Sequence, residues 1–340
     1  MFPQLIEKLV RHEDLTTDEA AQAMREVMEG RAAPSALAGL LAALVMKGER
    51  PEEIAGLART MREHAVQLTT SPGEVFDTCG TGGDRSGTFN VSSAAAIVVG
   101  ACGVKVAKHG NRSVSSRCGS ADLFEELGVN VAAPPLVVEQ TLRDANIAFF
   151  FAPTFHPSMR HAAPIRKEMG IRTTFNLLGP LTNPAGATRQ IVGVPRPELT
   201  QVMARALMLL GATRAWVVHG AGGIDEISTT GHTKVSECRG GAVNTFFIHP
   251  GEFGLAKASA SDLRGGDAVE NAAIIRSVLD GRKGAPRDIV LFNAGAALLV
   301  AGRASSVREG IARAAEAIDS GAAKDTLERM VRLSRAEAVA

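Results

Sequence analysis

The stretch VFDTCGTGGDRSGTFNVSSAAAIVVGAC, residues 75–102, decides the fold class of this chain. Its first five residues form a short apolar run that predicts a strand, and a glycine-rich loop then leads into an apolar helix that begins near Val91. Glycines let the backbone approach an anion closely, and free N–H groups at a helix start favour negative charge. The stretch therefore predicts an α/β fold in which this loop binds phosphate.

The loop departs from two common nucleotide-binding patterns. GxGxxG would need glycine where Arg85 stands, and the Walker pattern would need Gly-Lys-Ser/Thr, so NAD and ATP are disfavoured. A glycine-rich turn without a ligand remains an alternative. In that case Asp84 only caps the turn, and Asn90, Ser92 and Ser93 only cap the helix.

Before this stretch, about 70 residues carry apolar positions at helical spacing. Thr16 and Glu19 form a capping-box pattern, residues 35–47 predict a second helix, and Pro51 starts a third. After it, short apolar runs alternate with helical patterns, and helices return from about 267 to 335. This alternation predicts a mainly parallel sheet covered by helices, with ligands at the carboxyl ends of its strands.

Composition narrows the possible functions. A chain of 340 residues with 45% hydrophobic content can bury two cores, and its 37 basic and 36 acidic residues form no arm for a polyanion. Four cysteines without a CxxC pair predict neither a zinc site nor a disulfide framework, which fits a reducing cytoplasm. The sequence contains no run of eighteen apolar residues, so it predicts no membrane-spanning helix. We therefore expect partners to be small molecules, not nucleic acid or membrane.

Three further polar segments are candidates for ligand binding. KHGNRSVSSRCGSAD (108–122) combines cations, a histidine, an asparagine and hydroxyls after a strand, although it could be a solvated loop. In IDEIST (224–229), Asp225 and Glu226 could hold magnesium or simply be solvated. HPSMRHAAPIRKEMG (156–170) places Met159, Ala162 and Ala163 together by helical spacing. Its Arg166 is either a surface residue or a bidentate partner for a carboxylate.

Taken together and in this order, these segments closely resemble the anthranilate phosphoribosyltransferase family. The similarity is specific from about residue 75 to 230, and the remainder matches in pattern only. The resemblance implies a small N-terminal all-helical domain and a large α/β domain of the nucleoside phosphorylase and phosphoribosyltransferase type. We expect a helical domain at 1–72, to which the chain returns at about 168–188, and an α/β domain at 73–167 and 189–340. The segment GPLTNPAGAT (179–188) has the composition of a hinge.

The resemblance also implies the site residues. Phosphoribosyl pyrophosphate (PRPP) would contact Gly80, Gly83, Asp84, Thr88, Asn90, Val91, Ser92, Ser93, Lys108, His109, Gly110, Asn111, Arg112, Ser113, Val114, Ser115, Ser116 and Ser120. Gly80, Asn111 and Arg166 would bind anthranilate, with His109 and His156 nearby. Ser92, Asp225 and Glu226 would serve Mg²⁺, two ions per subunit. Lys108, Asn111 and Arg166 would carry catalysis.

The implied activity is transfer of the 5-phosphoribosyl group of PRPP to the amine of anthranilate, the second step of tryptophan biosynthesis from chorismate. The implied assembly is a homodimer formed through the helical domain. Two alternatives remain: a pyrimidine nucleoside phosphorylase of the same architecture, and a non-catalytic relative that binds nucleic acid. The acidic pair at 225–226 and the near-neutral charge count against them. Ser93 stands where the family often has threonine.

Overall fold

The structure, a computed structural model, describes residues 1–113 and 117–336. Its strands are β1 (Phe76–Gly80), β2 (Val106–Gly110), β3 (Ile147–Phe151), β4 (Arg189–Gly193), β5 (Arg214–Gly220), β6 (Thr233–Arg239) and β7 (Ala242–Ile248). They form one sheet in the order β3-β2-β1-β4-β5-β6-β7. The pairs among β1–β5 are parallel, and β6 and β7 extend the sheet in antiparallel fashion. The predicted mainly parallel sheet is confirmed.

Fifteen α-helices lie in the described ranges. The first seven are α1 (Phe2–Val10), α2 (Thr17–Met28), α3 (Pro34–Lys47), α4 (Pro51–Glu63), α5 (Val91–Ala101), α6 (Ser120–Glu126) and α7 (Pro135–Ala145). The next four are α8 (Ala152–Phe155), α9 (Ala163–Met169), α10 (Phe175–Leu178) and α11 (Leu199–Leu209). The last four are α12 (Ala268–Leu279), α13 (Ala285–Val300), α14 (Val307–Asp319) and α15 (Ala322–Ser334). None of these helices has the length and apolarity that crossing a bilayer requires.

Helices α1–α4 form the N-terminal unit. Thr16 accepts a hydrogen bond from the Glu19 amide in the predicted capping box, and Pro51 opens α4 where its missing N–H costs least. Apolar side chains of the four helices share one core with Phe175 and Leu178 of α10 and with residues of α11. The segment that follows α9 is therefore anchored among the N-terminal helices.

The larger core lies on the other face of the sheet. Helix α5 is apolar on all sides because it is enclosed between β1, β2 and the C-terminal helices α13 and α15. The strand order reverses between β1 and β4, which pair with Gly80 opposite Gly193. Such a reversal opens a crevice at the carboxyl ends of the two strands. The phosphate loop predicted after β1 begins in this crevice.

Met159, Ala162 and Ala163, which helical spacing places near one another, do not lie on one continuous helix. A 3-10 helix covers Pro157–His161, and α9 starts separately at Ala163. Pro164 lies in the first turn of α9, where a residue without an N–H is tolerated, and within a continuous helix it would remove a hydrogen bond. Ala162 is consequently buried, whereas Ala163 is exposed.

Candidate active site

The glycine loop after β1 faces the acidic pair after β5. The Gly82 amide donates to Asp225 Oδ2 at 3.0 Å, and the Ser92 amide at the start of α5 donates to Glu226 Oε1 at 2.9 Å. Asp84 also lies here, because its Oδ2 accepts from the Asp225 amide at 3.4 Å. Gly82 and Asp225, which are 143 positions apart in the chain, therefore meet in one crevice.

Glycine at the ends of β1 and β4 makes this close approach possible. A Cβ atom at Gly80 would clash with the Asp225 carboxylate, and one at Gly193 would clash with the Asp225 carbonyl. Within the loop, Gly82 and Gly83 take φ values of +66° and +75°, which side chains other than glycine rarely adopt. The loop shape that the glycines permit turns the Gly82 N–H group toward the acidic pair.

A cavity of about 540 Å³ lies between these elements. Its lining includes Gly80, Gly83, Asp84, Thr88, Asn90, Ser92, Ser93, Lys108, His109, Gly110, Asn111, Arg112, Ser113, Ser120, Asp225 and Glu226. Val91 is buried behind this lining in α5, and Val114, Ser115 and Ser116 lie outside the described residues. The hydroxyl of Ser93 is buried and has no hydrogen-bond partner among the described residues. Most of the residues expected to bind PRPP thus surround one polar chamber, the donor cavity.

The electrostatics of the donor cavity favour a cation beside the acidic pair. Burial and the neighbouring carboxylates raise the pKa of both Asp225 and Glu226. Within the described ranges, no group of three or more His, Cys, Asp or Glu side chains could hold a metal ion. Two carboxylates with room for water and phosphate oxygens are what Mg²⁺ prefers, whereas zinc would require more protein ligands. The residues therefore fit magnesium.

Lys108 supplies a buried positive charge on the same wall. It lies on β2, and its charge favours ionisation of both Asp77 on β1 and Glu226. Asp77 is fully buried and accepts from Asn183 Nδ2 at 2.8 Å and from the His109 amide at 3.2 Å. The carboxylate of Asp77 therefore helps to balance Lys108 below the floor of the donor cavity.

A second cavity, of about 510 Å³, adjoins the first. Apolar residues such as Met61, Pro157, Met159 and Phe175 contribute to its lining, and Arg166 projects into it with its guanidinium carbon 5.1 Å from the centre of the Phe175 ring. We call this the acceptor cavity. The two cavities share the residues Cys79, Gly80, Thr81, His109, Gly110, Asn111 and Asn176. A molecule in one cavity can therefore touch a molecule in the other.

Two buried histidines form one side of the acceptor cavity. His109 Nδ1 donates to the Gly179 carbonyl at 3.2 Å, and His156 Nε2 donates to the Thr182 carbonyl at 3.0 Å. Burial lowers the pKa of His109 to about 3 and that of His156 to about 4. Both rings are therefore neutral at physiological pH.

This chain is similar to known proteins along nearly its whole length. Residues 3–65 match the glycosyl transferase family helical bundle domain, and residues 72–324 match the a/b domain of the same family. The anthranilate phosphoribosyltransferase of Desulfatibacillum aliphaticivorans is 51% identical over 98% of this chain and 99% of its own. The solved anthranilate phosphoribosyltransferase of Thermus thermophilus is 47% identical, with a TM-score of 0.91 over 98% of this chain and 99% of its own.

The chain belongs to the anthranilate phosphoribosyltransferase family.

A more distant relative has been solved with ligands. The anthranilate phosphoribosyltransferase of Saccharomyces cerevisiae in complex with PRPP and Mg is 30% identical, with a TM-score of 0.88 over 98% of this chain and 97% of its own. The same yeast enzyme in complex with 4-fluoroanthranilate gives a TM-score of 0.86 at 30% identity, over 98% of this chain and 97% of its own. Similarity at this level extends along nearly the whole length of both chains.

For a member of this anthranilate phosphoribosyltransferase family, two predicted residues have unexpected surroundings. Arg112 is engaged by Glu125 and Asp122, with its Nη1 2.8 Å and 3.0 Å from their carboxylate oxygens. Ser120 donates to the Asn111 carbonyl at 3.4 Å. Arg112 therefore borders the donor cavity while already paired, and a phosphate would have to compete with two carboxylates.

Sequence reasoning missed several residues of the site. Arg172 and Asn176 line the donor cavity, and Asn271 of α12 donates to Asn90 Oδ1 at 2.9 Å. Arg172 and Asn176 lie in the stretch GIRTTFN, inside the segment on which the family resemblance rests, so their polar side chains were a usable signal. Asn271 had none, because only the fold brings the start of α12 to the glycine loop.

The two histidines predict a pH-dependent stability. Their folded pKa values lie below the ordinary value near 6.5, so below that pH the unfolded chain takes up protons that the folded chain does not. The contribution of each histidine to the free energy of unfolding should fall by about 1.5 kcal/mol as the pH is lowered from about 6.5 to about 5. The raised pKa values of Asp225 and Glu226 act in the opposite direction over the same range, so the histidine contribution is obtained from the difference between the wild type and a variant that lacks both rings. Urea unfolding across this range measures it.

His109→Asn and His156→Gln provide the control. Each amide keeps a donor near the position of the original N–H, toward Gly179 and Thr182 respectively, and neither titrates. The double variant should lose about 3 kcal/mol less than the wild type over this pH range. Equal losses would show that the two histidines do not govern acid stability.

Proposed function

We propose that this protein binds PRPP in the donor cavity and anthranilate in the acceptor cavity, and transfers the phosphoribosyl group between them. One observation carries the proposal: the two cavities share a wall at Gly80 and Asn111. The donor side offers backbone amides, hydroxyls and Lys108 to phosphates, and the acceptor side offers apolar surface with two arginines, Arg160 and Arg166. An aryl amine in one cavity and a sugar carbon in the other can then meet beside these shared residues.

Magnesium fits the donor side of this proposal. Asp225, Glu226 and Ser92 would hold it, as two ions per subunit, and bound magnesium would neutralise the charge of the departing pyrophosphate. Lys108 and the amides of the glycine loop would stabilise the same charge. The remaining donor residues, from Gly80 to Ser120 as expected above, would position the sugar and its 5-phosphate.

The acceptor side would fix the direction of attack. Arg166 would bind the anthranilate carboxylate through a bidentate pair, and Asn111 at the shared wall would orient the ring. Bond formation makes the amine proton acidic, so transfer requires no strong base among these residues. Gly80 and Asn111 would thus touch both substrates, which is why catalysis depends on the shared wall.

The direct test is a turnover assay with purified protein. Anthranilate fluorescence should fall when PRPP and Mg²⁺ are both present, and it should persist when either is left out. Thymidine or uridine with inorganic phosphate should give no free base, whereas a pyrimidine nucleoside phosphorylase would release it. Binding to DNA that weakens steeply with added salt, without turnover, would favour the nucleic-acid-binding alternative.

The product, N-(5-phosphoribosyl)anthranilate, places the reaction second in tryptophan biosynthesis from chorismate, and we propose that it proceeds in the cytoplasm. The four cysteines, Cys79, Cys102, Cys118 and Cys238, are free thiols, which suits a reducing compartment. We further propose that residues 1–72 and 168–188 form one domain and the rest of the chain another. The apolar core that Phe175 and Leu178 share with α1–α4 supports this division.

The helical unit also supports the proposed homodimer. Met46 on α3 is 84% exposed and Val10 on α1 is 68% exposed, and these two helices pack against each other. Covering large exposed apolar side chains would drive self-association. Val10→Glu with Met46→Glu should convert a dimer into a monomer, measured by light scattering coupled to size exclusion. Leu136 on α7 is a large apolar side chain outside the helical unit and is 49% exposed, so Leu136→Glu should leave the dimer intact.

A further inference from the structure

Arg172 lines the donor cavity and is not used by the proposed function. It follows Gly170, which ends α9 in a left-handed turn, and it precedes α10. Thr174 Oγ1 donates to Glu49 Oε1 at 2.9 Å, and Phe175 is buried among the N-terminal helices. The backbone of Arg172 is therefore fixed to the helical unit.

The side chain of Arg172 nevertheless reaches the glycine loop. Its Nη2 donates to the Thr81 carbonyl at 3.4 Å, and its Nη1 occupies the space that a Cβ at Gly83 would fill. Gly83 thus serves two purposes, a positive φ and room for a guanidinium above the loop. A side chain anchored in one unit lies on the phosphate-binding loop of the other.

The charges around Arg172 suit a polyanion. Asp84 and Asp225 attract its guanidinium, while Arg85 and Arg196 repel it. Arg85, like Arg172, lines the donor cavity. Arginines held near one another beside a cavity bind phosphate groups well, because each offers a fork of N–H donors to the oxygens. Magnesium at Asp225 would reduce the competing attraction of that carboxylate.

One segment then supplies a cation to each cavity. Arg166 on α9 projects into the acceptor cavity, and Arg172, six residues later, lines the donor cavity. A single turn separates the two arginines. Phe175, which is buried among the N-terminal helices, contacts the Arg166 guanidinium and follows Arg172 by three residues.

We propose that Arg172 binds the diphosphate of the phosphoribosyl donor. The inference rests on the proposed function and adds a donor-binding residue to it. Charge-assisted hydrogen bonds to a diphosphate are strong enough that their loss should weaken its binding by roughly 10- to 100-fold.

The test compares Arg172→Gln, Arg172→Lys and Lys167→Gln. Lys167 is an exposed cation on α9 outside both cavity linings, so its substitution removes one charge from the same segment. Two quantities are measured: the Kd of magnesium pyrophosphate by calorimetry without acceptor, and the KM values of PRPP and anthranilate. Arg172→Gln should raise the pyrophosphate Kd and the PRPP KM by roughly 10- to 100-fold, and Arg172→Lys by less.

Three outcomes decide the matter. Weaker pyrophosphate binding in Arg172→Gln, with Lys167→Gln unchanged, supports the assignment. Unchanged pyrophosphate binding in Arg172→Gln overturns it, and so does a lowered Tm with equal losses for both substrates, which would make the residue a structural latch. The wild type separates this inference from the proposed function: no product from PRPP and anthranilate would refute that function, whereas normal wild-type turnover leaves Arg172 alone under test.

Discussion

Replacing Asp225 by Asn and Glu226 by Gln together should reduce magnesium-dependent turnover by roughly a thousandfold, about 4 kcal/mol of transition-state stabilisation. The two carboxylates accept hydrogen bonds from the Gly82 and Ser92 amides, and their neutral substitutes cannot compensate a divalent cation. Both substitutes keep an oxygen that can accept from the Gly82 and Ser92 amides, so the loop should stay in place. Initial rates at increasing Mg²⁺ concentrations measure the effect.

A matched control removes two carboxylates elsewhere. Asp325→Asn with Glu328→Gln changes the net charge equally on the exposed side of α15 and should leave the magnesium dependence unaltered. If the Asp225/Glu226 variant showed the same magnesium dependence as the wild type, the acidic pair would be a structural tie for the glycine loop. The metal would then have to bind through the substrate alone.

Arg166→Gln should raise the KM of anthranilate by roughly 10- to 100-fold and leave the KM of PRPP close to that of the wild type. The guanidinium is partly buried beside Phe175, and burial lowers the pKa of Arg166, so an anion in the acceptor cavity would be strongly favoured. The substitution keeps a polar side chain while removing the charge and the paired donors. Steady-state kinetics with each substrate varied in turn gives both constants.

Aniline sharpens this test because it is anthranilate without the carboxylate. If Arg166 binds that carboxylate, the variant should use aniline as poorly as the wild type does, and no more poorly. A further loss with aniline, or equal changes in both KM values with anthranilate, would remove Arg166 from carboxylate recognition. Lys167→Gln serves again as the charge control on the same helix.

Local sequence patterns predicted the loops that carry the candidate site better than they predicted the side chains that pack against those loops. The glycine loop, the acidic pair and Arg166 each follow a recognisable signal, because loops after parallel strands converge on one edge of the sheet. The pairing of Arg112 with Glu125 and the contact of Asn271 with Asn90 depend on how helices dock, which no periodicity encodes. Arg172 lies in a segment that carries the family resemblance, but a lone arginine in a turn is usually a surface residue, so its type alone does not place it at the site. Helical spacing alone does not reveal the break at Ala162, whereas Pro164 is the residue that marks it.

The hydrogen bond between Gly82 and Asp225 also bears on how the protein is made. It closes a loop of 143 residues, so no partial chain emerging from the ribosome and ending before β5 can possess the acidic half of the site. Closing so long a loop is a slow, non-local event that needs the strand pairs β1–β4 and β4–β5 to be in register first. Enzymatic competence should accordingly appear late in refolding, after most helical signal has returned, and it reports on completion of the sheet.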